Sequence, residues 1–114
     1  MDLINRSAVI VMPAEPFLKW LQQADSTSAD LTLEDLRREP TIYLLPNWDS
    51  KEEALGHLEQ VCREIFEEQL DGWYRVPSSW PVHRDFDTFK RWFEYHFHSM
   101  LVDLCEDPLE HDEL

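Results

Sequence analysis

The densest chemistry in this sequence lies near its C-terminus, where His96-x-His98 sets two imidazoles two residues apart and Asp103 follows. Imidazole with carboxylate is a common acid–base pair, and two imidazoles are a common start to a transition-metal site. The backbone beneath them decides which chemistry is open. Phe86, Phe89, Phe93, Phe97, Met100 and Leu104 recur at helical spacing, which predicts a helix from about Asp85 to Leu104. Residues two apart on a helix point about 200° apart, so the histidines would not share an ion. His96 would sit at the edge of the aromatic stripe, hydrogen-bonded to Asp103 or to a backbone carbonyl. His96 and Asp103 are therefore the weak catalytic candidates, and His98 would form a surface pair with Glu94.

The other reactive side chains point away from catalysis. His57 lies near Glu53, Gln60 and Glu64 on one helix face, but that set spreads over three turns of solvated surface rather than converging on an ion. Cys62 falls with apolar neighbours, and Cys105 stands beside Glu106 and Asp107, whose charge disfavours a thiolate. Gly56 and Gly72 are the only glycines, too few for a phosphate-cradling loop, and Gly-x-Ser-x-Gly and His-Glu-x-x-His are both missing. No cofactor and no metal site is expected, and the enzyme reading leans to no.

The elements that would position these groups are legible from apolar spacing and from caps. Ser7–Met12 reads as a strand buried on both faces and closed by Pro13. Pro16 opens a short helix through Phe17, Leu18, Trp20, Leu21 and Ala24. Thr32 with Asp35 forms a capping box for a helix over Leu33–Glu39, ended by Pro40. Thr41–Leu45 is a second apolar strand, and Ser50-x-x-Glu53 caps a long amphipathic helix reaching about Leu70. Trp73–His83 is a proline-broken aromatic loop that must pack on something. The expected fold is α+β in two layers: two short apolar strands covered by two long helices and shorter N-terminal ones. Strand direction is open, with a slight lean to parallel through a right-handed crossover. Residues 1–105 would form one domain and 106–114 an acidic tail.

Charge narrows the partners. The net charge of −14 on 114 residues disfavours nucleic acid and anionic membranes. No apolar run is long enough to span a bilayer, and two isolated cysteines suit reduced thiols in the cytoplasm. Residues 49–71 carry −6 and residues 105–114 carry −5, whereas residues 72–104 carry zero and hold nine of the fourteen aromatics. A helix over 85–104 would show a second apolar face at Trp92 and Tyr95. Trp92, Tyr95, Trp73 and Trp80 are thus candidate partner contacts, with Glu64, Glu67 and Glu68 steering a basic partner. The reading favoured is a non-catalytic protein-binding or accessory module, binding a basic protein or a second copy of itself as a homodimer. The alternative is a small enzyme with a pocket between the 73–83 aromatic loop and the C-terminal helix.

Four motifs, N-R-S-A-V-I-V (Asn5–Val11), P-F-L-K-W-L (Pro16–Leu21), T-I-Y-L-L-P (Thr41–Pro46) and F-H-S-M-L-V-D-L (Phe97–Leu104), are informative as a set. Together they resemble a family of small acidic bacterial proteins with no assigned function. The resemblance implies a bacterial cytoplasmic protein and carries no catalytic role onto any residue.

Overall fold

The β-branched run Val9, Ile10 and Val11 lies at the centre of the molecule, in a strand with a partner on each side. A computed structural model describes all 114 residues. In chain order the elements are β1 (Asp2–Leu3), β2 (Ser7–Pro13), α1 (Glu15–Ala24), α2 (Leu33–Leu36), β3 (Thr41–Leu45), α3 (Lys51–Trp73), α4 (Phe86–Trp92), β4 (Phe93–His98) and β5 (Val102–Asp103). Short 3₁₀ turns at Ser26–Ser28 and Pro77–Ser79 complete the chain. The fold is a small α+β domain.

Two local signals act as the sequence suggests. Thr32 and Asp35 form a reciprocal capping box on α2, and Ser50 accepts the Glu53 N–H at the start of α3. Both satisfy amide donors that a helix end would otherwise leave unpaired.

The C-terminal helix is much shorter than its aromatic spacing predicts. It ends at Trp92, and the chain continues as β4, the third strand of a sheet ordered β3-β2-β4. Phe86, Phe89, Phe93 and Phe97 fit a helical period, but Phe93, Tyr95 and Phe97 also alternate with Glu94, His96 and His98 at the strand period of two. Tertiary context selects the strand, because β2 is apolar on both faces and needs a ladder on both edges. One long helix, α3, therefore replaces the expected two, and five strands replace two. The pairing of Ser7–Pro13 with Thr41–Leu45 is antiparallel, not parallel, and β3 is an edge strand with Ile42 and Leu44 exposed.

β1 and β5 prolong the β2–β4 ladder. Ala8 pairs with His98 and Leu3 with Val102, leaving four residues on one strand and three on the other between those pairs. The extra residue has the form of a β-bulge, and the Ile4 amide bonding the Leu101 carbonyl at 2.9 Å bridges the interval. A two-stranded ribbon thus projects past the end of β3.

One face of the sheet carries the core. Val9 and Val11 pack with Phe17, Leu21, Leu58, Phe66, Leu70, Phe89 and Phe93, all nearly inaccessible to solvent. Phe66 of α3 stands edge-on to Phe93 at 5.1 Å and to Phe89 at 6.3 Å, the offset geometry that aromatic rings prefer. Helices α1, α3 and α4 meet the sheet on this side.

Candidate functional site

The opposite face of the sheet has no covering layer. Strand alternation places Ala8, Ile10 and Met12 there from β2, opposite Leu44 and Ile42 of β3 and opposite His98, His96 and Glu94 of β4. Ile42 is 59% exposed and Leu44 49%, and both histidines are exposed. An antiparallel sheet with one wet face normally carries polar residues on it, and this one carries aliphatics at its centre and on β3. The only acid on the face, Glu94, meets Arg37 at 3.5 Å, and Arg37 also donates to the Pro13 carbonyl at 2.8 Å. The face is therefore an apolar patch without an unpaired carboxylate on a strongly acidic molecule.

Along the free edge of β4 an open groove of about 960 Å³ runs round the strand, touching Ile10, Met12, His96 and His98 on the open face and Trp48, Leu55 and Phe97 on the other. No strand or helix borders that edge in the sheet order, so the outward amides and carbonyls of β4 have no ladder partner.

The candidate residues from the sequence land in separate places. His96 and Asp103 are not paired: they lie on separate strands, β4 and β5, with Ser99–Leu101 outside both, and Asp103 is engaged elsewhere, which removes the acid–base pairing that a helix would have allowed. Asp103 instead accepts the Cys105 amide at 2.8 Å and stands opposite Asp2. Cys105 follows a strand and not a helix. His98 leaves the proposed helix pairing with Glu94, and His96 is an exposed strand residue rather than a core histidine. His57 lies 3.8 Å from Glu53 and 3.3 Å from the Asn47 carbonyl, an ordinary local arrangement.

The aromatic candidates are largely used within the chain. Trp92, half-buried, packs against Phe66 at 5.5 Å, Phe17 at 6.2 Å and Trp20 at 6.4 Å. Tyr95 packs with Phe97 and Phe89. The 73–83 loop is pinned by the Trp80 indole donating to the Tyr74 carbonyl and the Trp20 indole donating to the Ser79 carbonyl. Where the end of this loop meets the start of α4, a cavity of about 390 Å³ is lined by Val82, His83, Phe86 and Cys62, and neither His96 nor Asp103 reaches it. Trp73 alone of the four is 36% exposed, at the end of α3. Of the acids, Glu67 accepts from Arg63 at 2.8 Å and Arg84 at 3.2 Å, and Glu68 accepts from the Tyr43 hydroxyl at 2.8 Å. Glu64 is exposed and has no cation beside it.

Cys62 is buried, and burial with the nearby Glu59 charge pushes its thiol above the usual range, which keeps it protonated and unreactive. No three side chains of His, Cys, Asp or Glu converge as a metal centre would require. No helix is long and apolar enough to cross a membrane.

No family model, curated protein or solved structure matches this chain.

The open sheet face, with Ile10, Met12, Ile42 and Leu44, escaped sequence reasoning. Its signal was present in β3, where Ile42, Tyr43, Leu44 and Leu45 are hydrophobic in succession although an edge strand needs only one apolar face.

Proposed function

We propose that this protein is a non-catalytic protein-binding module that self-associates through the open face of its three-stranded sheet. The observation that carries the reading is the uncovered aliphatic face itself, which lacks an unpaired acid and is therefore where a second copy of a −14 chain meets the least repulsion. Size supports it. The molecule exposes 8181 Å², whereas a monomer of its mass exposes roughly 6,600 Å², and its radius of gyration is 15.7 Å against about 13 Å for a compact domain of its length. Exposed residues of the projecting ribbon, of the C-terminal tail and of β3 contribute to both figures. A basic partner would be met on the other side of the molecule, through Glu52, Glu59 and Glu64 of α3. We place the protein in a bacterial cytoplasm, where Cys62 and Cys105 stay reduced.

Equilibrium sedimentation of the wild type and of Ile42→Glu/Leu44→Glu tests the reading. The wild type is expected at twice the chain mass at tens of micromolar, and the variant at the chain mass with an unchanged circular dichroism spectrum. A wild type that stays monomeric across that range, or a variant that associates equally well, overturns it.

A further inference from the structure

Replacement of the expected helix by β4 reverses the geometry of His96-x-His98. On a strand, residues two apart point to the same side, so the two imidazoles stand together on the open sheet face. Of the five histidines, only His57 has a side-chain partner within the chain. His96 and His98 are exposed and line the groove along β4.

We propose that His96 and His98 form half of a divalent transition-metal site for an ion of the Zn²⁺ class, completed by the same two residues of a second copy. The donor type is right, since neutral imidazole nitrogens are common ligands of such ions at about 2.0–2.1 Å. The donor number is not, because a closed tetrahedral site needs four ligands and one chain supplies two. The nearest residues across the ladder, Ala8 and Ile10, have no donor atoms, and Glu94, two residues before His96, is held by Arg37. No third His, Cys, Asp or Glu of the same chain converges on the pair. The missing ligands must come from outside the chain, and the apolar face around the pair is the surface already proposed to bury a second copy. The inference rests on that reading. Two sheets stacked face to face lie about 10 Å apart, a gap that imidazoles extended from both sides and bridged by one ion fill. The ion's two positive charges also offset part of the repulsion between two acidic molecules.

The test is titration with Zn²⁺ by calorimetry, with sedimentation in parallel, on the wild type, His96→Ala, His98→Ala, the double variant and His57→Ala as control. Expected is one Zn²⁺ per two chains, a dimer strengthened at least tenfold by Zn²⁺ and weakened by a chelator, and at least a tenfold loss of Zn²⁺ affinity in each single variant but not in His57→Ala. Absence of binding at 100 μM Zn²⁺, binding undiminished in the double variant, or one ion per chain without a change in mass overturns the shared site. A dimer indifferent to Zn²⁺, to chelator and to both histidines, but lost in Ile42→Glu/Leu44→Glu, overturns the metal site and leaves the self-association standing. Metal-linked dimers that persist in Ile42→Glu/Leu44→Glu do the reverse for the aliphatic face.

Discussion

Tyr43 shows how much a single side chain ties together here. Its hydroxyl donates to Glu68 and accepts from the Gln69 amide at 2.9 Å, so one phenol joins β3 to two consecutive residues of α3. Burial, helped by the Glu68 charge, pushes its pKa far above the ordinary value of about 10. The folded state therefore holds the proton more tightly than the unfolded chain does. The contribution is fully present below about pH 10 and is lost as pH rises beyond it, because the unfolded tyrosine then ionises first. Tyr43→Phe is expected to cost about 1–3 kcal/mol at pH 7, by leaving the buried Gln69 amide without an acceptor. It should also lose stability less steeply than the wild type between pH 9 and 12. Urea unfolding across that range checks both, and an identical pH slope in the two proteins would refute the assignment. Nothing in the sequence pointed to this contact, since Tyr43 and Gln69 are 26 residues apart.

At the scale of elements, legibility followed how locally each was determined. The strand at Thr41–Leu45, helix α1 and the starts of α2 and α3 lie where prolines, capping residues and apolar spacing put them, because those determinants act within a few residues; the ends do not, since α2 stops at Leu36 instead of running to Glu39 before Pro40 and α3 continues past Leu70 to Trp73. The helix α4 and strand β4 were not separable in this way. F-D-T-F-K-R-W and F-E-Y-H-F-H join without a proline or glycine, and the aromatic spacing suits both periods. The junction is set by distant partners, with β4 completing the second edge of β2 while the Ala14 amide bonds the Trp92 carbonyl at 2.8 Å. The imidazole pair was hidden for the same reason, since its geometry depends entirely on the backbone state of β4. Phe66 is where α3, α4 and β4 meet, and Phe66→Ala is expected to destabilise by about 3–5 kcal/mol through lost burial and the cavity left behind. Thermal and denaturant unfolding would show a large loss, and a change under 1 kcal/mol would mean that these rings do not form the shared core described.

For the molecule as a whole, the sign of the salt effect separates the two kinds of partner. Two copies each carrying −14 repel, and screening shortens the range of that repulsion to about 8 Å at physiological ionic strength. Self-association is expected to strengthen between 20 and 300 mM NaCl. Truncation after Cys105, which removes five acids and no lysine or arginine, should flatten the dependence. Sedimentation at both salt concentrations measures it, and association that weakens with salt would favour attraction between opposite charges instead. Connectivity imposes a different constraint. The strand β2 bonds β4 between residues 80 to 90 apart in the chain, from Pro13 with Phe93 to Ala8 with His98, and β1 meets β5 across a still longer interval. During synthesis the apolar strand emerges 80 to 90 residues ahead of its second partner. Val9, Ile10 and Val11 must wait with one edge bare until Tyr95, His96 and Phe97 have left the ribosome. A topology so dominated by distant contacts folds slowly for its size, and in that interval the newborn protein depends on its acidity, more than on its fold, to stay out of aggregates.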